Sequence, residues 1–405
     1  MRAAQVARPR FRGAFAGLLA ALAVEFADEL VDGTKSAALP LIKHDLALTY
    51  AQVGLLAAVP LVAGSLIELP LGVLSETGRR RRRFILAGGL VFIGAVAAAG
   101  FARTFPAMLA ALVVFFPASG AFVSLTQSAL MDAYPDRRAQ HMARWTLAGA
   151  AGAVAGPLLV AAVLASGGSW RLAFLLVAAA GAVSWLAVAA AGPGVRDAEV
   201  TEEGGEDEES GGWPGTRAAI RIVAQAGAVR WLVLLQASDL LLDVFTSFLA
   251  LYLVYAVHEP PSVAALGVAV RLGAGLAGYA LLPVALERLD ALRVLRASVL
   301  LTAVLYPAFL LVPGIAAKLV VLAVLSAVTA PWYPVLTTEL YACLPGRSGL
   351  AVSLTSAAGL VGALGPLAVG LAAQRLGLGW AMAALALVPV ILLNAPARKP
   401  PAAGD

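Results

Sequence analysis

Val24-Glu25-Phe26-Ala27-Asp28-Glu29-Leu30-Val31-Asp32-Gly33-Thr34-Lys35 is the stretch on which the reading of this chain turns. Its ionisable residues sit inside a run, Ala14 to Ile42, that is otherwise almost entirely apolar. Facing lipid, each carboxylate would cost roughly 2.5–3.5 kcal/mol, so four together would cost on the order of 10 kcal/mol, enough to prevent insertion. At about 100° per residue, Glu25, Asp28, Glu29, Asp32 and Ser36 fall in one narrow stripe with Lys35 beside it. The stretch is a polar seam on one side of a membrane helix. Other parts of the chain must supply what it faces.

The composition agrees. Of 405 residues, 61% are hydrophobic and 13% charged, and mean hydropathy is +0.88; a soluble domain carries about 25% charged residues. The 40 Gly and 23 Pro suit membrane helices, where both are frequent. A single cysteine, Cys343, excludes an internal disulfide, and the scattered His44, His141 and His258 suggest no metal site. The net charge of +5 lies in short loops, which is an orientation signal and not a nucleic-acid footprint. Arginine outnumbers lysine and alanine is abundant, pointing to a GC-rich bacterial source. The basic N-terminus leads into a retained first helix, since no small-residue cleavage site follows the apolar run closely.

Twelve runs are long enough to span a bilayer, which takes about 20 residues. They are 14–42, 51–75, 84–101, 105–133, 143–166, 171–192, 229–257, 262–286, 292–313, 317–343, 349–374 and 379–395. Every second loop is basic: Arg79 to Arg83, Arg137 and Arg138, Arg217 and Arg221, Arg288, Arg293 and Arg296, Arg347, then Arg398 and Lys399. The opposite loops hold single cations, Lys43, Arg103, Arg171, Lys318 and Arg375. Both termini are therefore expected in the cytoplasm. Residues 193–228 contain the acidic, Gly-rich Asp197 to Glu209 and read as a flexible cytoplasmic linker between domains 1–192 and 229–405.

The two halves repeat each other. Asp28 and Asp32 match Asp239 and Asp243; Pro135 matches Pro345; Gly156-Pro157 matches Gly365-Pro366; Trp170 matches Trp380, each about 210 residues on. A six-plus-six duplication is the signature of transporters built from parallel repeats, with the substrate site near the midplane. The fold class is thus all-α and polytopic: twelve transmembrane helices in two pseudo-symmetric six-helix bundles.

Gly72-Val73-Leu74-Ser75-Glu76-Thr77-Gly78-Arg79-Arg80 joins the second and third runs. It resembles the loop signature of the major facilitator superfamily, with Thr77 in place of the usual arginine and one residue fewer before the glycine. Gly149-x-x-Gly152-x-x-x-Gly156-Pro157 is similar to the glycine-rich fifth-segment motif of that family's exporters, and Gly359, Gly362, Gly365 and Pro366 repeat it. Plain small-residue packing accounts for these glycines equally well. Trp170-Arg171-x-x-Phe174 is also like the family. Ala38 to Ile42 and Leu48 to Leu56 look like the fosmidomycin-resistance-type exporters within it. The resemblance implies a central cavity lined by segments 1, 4, 7 and 10, and alternating access by rocking of the halves.

The candidate residues follow. Glu25, Asp28, Glu29, Asp32, Lys35, Asp239, Asp243 and Arg271 are candidates for substrate binding and proton coupling, because intramembrane ionisable groups are functional by default. The plainer alternative is permanent pairing of the carboxylates with Lys35 and Arg271. Ser124, Gln127, Trp332 and Tyr333 are candidate cavity-lining residues. Glu68, Gly72, Glu76, Gly78, Arg79, Asp132, Arg144, Gly156, Pro157, Glu339, Gly365 and Pro366 suit gating or structural roles, since polar groups near helix ends reach the interface cheaply.

The expected function is secondary active transport, with proton-coupled export of a small organic solute or drug-like cation as the leading form. Proton-coupled uptake of a nutrient is the alternative. A non-transporting receptor or assembly factor is the alternative of another class. There is no phosphate-binding loop and no nucleophilic triad, so the chain reads as a non-enzyme without cofactor or metal. Its expected partners are the solute, protons and the lipid bilayer, with no nucleic acid. It is expected as a monomer in a cell inner membrane.

Overall fold

In a computed structural model, residues 11–74, 78–134, 137–191, 227–343 and 358–395 are described. Among them there is no strand, and twelve helices account for the twelve apolar runs. The first six are α1 (Phe11–Asp45), α2 (Tyr50–Leu74), α3 (Gly78–Phe101), α4 (Phe105–Ala133), α5 (Arg138–Ala165) and α6 (Trp170–Ala190). The second six are α7 (Ala228–Tyr255), α8 (Pro261–Leu286), α9 (Ala291–Leu311), α10 (Ile315–Ala342), α11 (Ala358–Leu376) and α12 (Leu378–Leu392). Nine of these are long and apolar enough to cross a membrane; α1, with its acidic seam, and the shorter apolar stretches Tyr50–Gly64 and Leu378–Leu392 complete the set. The protein is a multi-pass membrane protein.

The helix edges differ from the apolar runs where polar residues prolong a helix. α3 begins at Gly78 and takes in the arginines before residue 84, because arginine is a good helix former. Turns are made by caps. The Thr104 hydroxyl accepts from the Ala107 N–H to start α4, and the Asp290 carboxylate accepts from the Leu292 and Arg293 N–H groups to start α9.

Several helices are not regular. α4 contains a π-turn at Gly120–Ser124, and α7 one at Leu240–Val244. α10 breaks at Ala330 and Pro331 and resumes at Trp332. Turns of the i→i+5 kind are rare and gather at functional sites.

The described residues form two compact units. The first holds those within 1–35, 60–159 and 166–203; the second holds those within 36–59, 160–165 and 204–405. In the first, α3 packs against α4 and α6 over an aromatic cluster of Phe92, Phe115 and Phe122. In the second, α8 packs against α7 and α10, and Phe245, Tyr252, Tyr306 and Phe309 form the cluster.

The end of α1 and the start of α2 belong to the second unit. There Lys43 Nζ lies 4.6 Å from the Tyr50 ring centre and 4.8 Å from that of Tyr255. The Tyr255 hydroxyl donates to the Pro40 carbonyl at 3.2 Å, and the Tyr50 N–H donates to Gln374 Oε1 at 3.0 Å. Gly54 and Gly370 let α2 and α11 touch backbone to backbone: a Cβ at Gly370 would meet the Tyr50 carbonyl at 2.5 Å.

Candidate functional site

The seam on α1 is real as a helix face. Residues 25, 28, 29, 32, 35 and 36 are half-buried, while Val24, Ala27, Leu30, Val31, Thr34 and Ala37 between them are buried. The buried face meets α5 through the glycine motif. A Cβ at Gly152 would collide with the Phe26 carbonyl, one at Gly156 would lie 2.7 Å from the Leu30 carbonyl, and one at Gly33 would collide with the Ala153 carbonyl. Glycine is needed here so that two backbones can touch, which turns the carboxylates away from α5. Glu25 is the exception. Its carboxyl lies over Gly149, where a Cβ would come within 2.5 Å of Oε1, and the buried Trp145 indole lies beside it.

Partners along the seam are few. The Ser119 hydroxyl donates to Asp28 Oδ1 at 2.7 Å. Lys35 pairs with Asp32 at 2.5 Å, one turn back on the same helix, and lies 5.1 Å from the Phe116 ring centre. Four carboxylates therefore share one ammonium within this face. Asp28 is close enough to Asp32 and to Glu25, and Glu29 to all three, to interact electrostatically.

In the second unit, Asp239 is half-buried just before the π-turn of α7 and Asp243 is exposed within it. Arg271 of α8 is 6% exposed. Its Nη2 donates to the Leu241 carbonyl at 2.7 Å and the Leu242 carbonyl at 3.4 Å. Its Nη1 donates to Thr329 Oγ1 and its Nε to Thr246 Oγ1, both at 3.3 Å. The guanidinium sits 5.4 Å from the Phe245 ring centre. Asp243, Tyr279 and Tyr306 lie within electrostatic reach. Arg271, expected to pair with the carboxylates, has Asp243 within electrostatic reach and makes its hydrogen bonds to backbone carbonyls and hydroxyls that sequence alone did not announce.

The model of the Major Facilitator Superfamily matches residues 18–258, more than half of the chain. The chain belongs to the major facilitator superfamily. Among solved structures, it is similar to a bacterial homolog of the human lysosomal transporter Spinster in an inward-facing, unoccupied conformation. That match has 17% identity, a TM-score of 0.74, and covers 94% of this chain and 95% of the other. It is also similar to the nucleoside transporter NupG, with 13% identity, a TM-score of 0.72, and coverage of 93% and 97%. No curated protein matches. Membership of this family makes the protein a transporter and not an enzyme, and the two solved structures share its fold.

The remaining candidates of this facilitator-family chain are placed as follows. Ser124 is exposed on the π-turn of α4, and Gln127, half-buried a turn later, donates to Met142 Sδ at 3.5 Å. Tyr333 is 52% exposed. Trp332, expected at the cavity wall, is instead fully buried, and its Nε1 donates to Ser298 Oγ at 2.9 Å, so it fills the interior of the second unit. Asp132 pairs with Arg81 at 2.8 Å, tying the end of α4 to the start of α3. Arg144 is exposed at the start of α5, and Glu339 is half-buried on α10. Gly365 faces Val244 and Leu240, and Pro366 opens the last stretch of α11. Glu68 and Gly72 fall on α2, Gly78 and Arg79 on α3. Glu76 and residues 193–226 of the linker lie outside the described residues.

Sequence reading missed Ser119 and Thr329, which hold Asp28 and Arg271 respectively. A signal was there: the two sit at one repeat position, about 210 residues apart, like the landmarks that defined the duplication. Lys318, expected as a loop cation, instead lies on α10. That residue is 3% exposed, and its ammonium turns back to the Phe309 and Leu310 carbonyls between the rings of Tyr252 and Phe309.

Proposed function

We propose that this protein is a proton-coupled exporter of a small organic solute of the drug-like cation class, working by alternating access in a bacterial inner membrane with both termini cytoplasmic. The observation that carries the reading is the α1 face: Glu25, Asp28, Glu29 and Asp32, half-buried together with Lys35 as the one cation among them. Charges kept at this cost in a spanning helix mark ion or substrate pathways. A cation and protons compete for such a site, and that competition is exchange. Asp239 and Asp243 supply acid at the same repeat position on α7.

Alternating access needs closures that can break. The contact of Lys43 with Tyr50 and Tyr255 suits that task, since beside the Gly54–Gly370 approach it joins the first hairpin to α7 and α11 through one cation and two hydrogen bonds. Export as the direction is supported by the likeness of the α5 glycine motif, and of residues 38–56, to exporters.

The test is transport of tetraphenylphosphonium by the full chain in liposomes under an imposed pH difference. Accumulation that follows the pH difference and collapses with a protonophore is expected. Flux indifferent to the pH difference overturns the coupling. Absence of both binding and flux overturns the cation class.

A further inference from the structure

We propose that Arg271 is a positioning residue that clamps the π-turn of α7, and that the turn is what sets Asp239 and Asp243 side by side. The inference deepens the exporter reading and rests on it for the role of the two carboxylates.

The π-turn creates the need. Where the backbone switches from i→i+4 to i→i+5 bonding, carbonyls around the switch lose their regular partners, and in a membrane no water replaces them. The Leu241 and Leu242 carbonyls belong to this turn, and both accept from Nη2 of Arg271. Thr246, one turn on, donates its hydroxyl to the Leu242 carbonyl at 2.5 Å and accepts from Nε of Arg271. Thr329 accepts from Nη1 and donates to the Ser326 carbonyl at 3.1 Å, so the clamp is tied to α10. A guanidinium has five N–H groups in a rigid fork, and this one is spread over α7 and α10 while buried on Phe245. A side chain so committed is not free to follow a solute.

The geometric consequence falls on the carboxylates. In a regular α-helix, residues four apart are offset by about 40° around the axis. A wider turn rotates less per residue, so residues 239 and 243 come closer to one azimuth across it. Both are accessible, while Leu241, Val244 and Phe245 within and after the turn are buried. The matching stretch of α1 is unbroken helix, and there Ser119, at the repeat position of Thr329, donates directly to a carboxylate. One scaffold position thus serves a carboxylate in the first repeat and the clamp in the second.

The test compares Arg271→Lys with the parent in pH-driven tetraphenylphosphonium transport. The titratable groups around the site are Asp239 and Asp243 on α7, Tyr279 on α8, Tyr306 on α9 and Tyr333 on α10. Lysine keeps the charge and loses the fork. Arg271→Lys should bind tetraphenylphosphonium within about threefold of the parent, lose about tenfold or more in flux, and show a displaced pH profile, since each lost hydrogen bond is worth about five- to tenfold. An unchanged pH profile overturns the proposal, as does a loss of affinity equal to the loss of flux.

Amide hydrogen exchange at residues 240–246 gives a readout that needs no transport. It should quicken by about tenfold in Arg271→Gln, one hydrogen bond's worth. Unchanged exchange removes the clamp even if the exporter reading stands. Faster exchange in a protein indifferent to pH keeps the clamp and removes the exporter reading. If the Arg271 variants do not fold, Thr246→Val and Thr329→Val each remove one partner and must quicken exchange at the same residues for the proposal to hold.

Discussion

α1 and α7 stand at the same place in the two repeats and hold their carboxylates by different means. Asp28 and Asp32 project from a continuous helix and take their partners from side chains, Ser119 and Lys35. Asp239 and Asp243 sit at a π-turn whose carbonyls engage Arg271. On α1 the cation is half-buried and pairs with one acid a turn away; in the second unit it is buried and braced by backbone. A duplicated scaffold has kept its positions while the charges on it took separate tasks. On the proposed reading, the α1 face keeps an excess of negative charge for exchange, and the second unit uses its buried cation to hold the turn of α7.

The contrast can be broken most sharply at the glycines. Gly152→Leu should leave no monodisperse folded protein, because overpacking against the Phe26 carbonyl costs about 3 kcal/mol or more; size-exclusion chromatography reads this. Next in size is Arg271→Met, which strands the Leu241 carbonyl in the interior. A loss of about 2–3 kcal/mol, seen as a lower Tm, is expected. Asp28→Asn and Asp239→Asn should each cut pH-driven flux at least about tenfold, or about 1.4 kcal/mol, with Tm near the parent's. Normal flux in both would remove the acid faces from the mechanism. Lys35→Met should lower stability by only about 0.2–1 kcal/mol, as its ion pair is partly exposed. A loss as large as that of Arg271→Met would erase the contrast between the cations. Least of all, Gly359→Ala should shift Tm by the equivalent of less than about 1 kcal/mol, since the space around Gly359 is open and alanine is the better helix former.

Much of this was legible in the chain. Carboxylates in an apolar run announce a sheltered helix face, because lipid tolerates no other arrangement. The recurrence of Asp-x-x-x-Asp and Gly-Pro about 210 residues on announces the duplication. What stayed hidden has a common cause. Leu240-Leu241-Leu242-Asp243-Val244 reads as ordinary helix, since a π-turn has no composition of its own and is set by what packs around it. Arg271 reads as a cation in need of acids, since carbonyls released by a distant turn are invisible in one dimension. Trp332 reads as an accessible aromatic until Ser298 is seen to satisfy its N–H inside the second unit.

By itself, then, the sequence determined a twelve-helix membrane protein made of two repeats, and the faces of α1 and α7 that carry acid, because hydropathy and helical period are local properties that the bilayer enforces along the chain. Tertiary structure alone decided which distant groups reach them: Ser119 on Asp28, and Arg271 on the carbonyls beside Asp239 and Asp243. A hydrogen bond is made by whichever group packing brings within about 3 Å, and packing joins residues that lie tens to hundreds of positions apart.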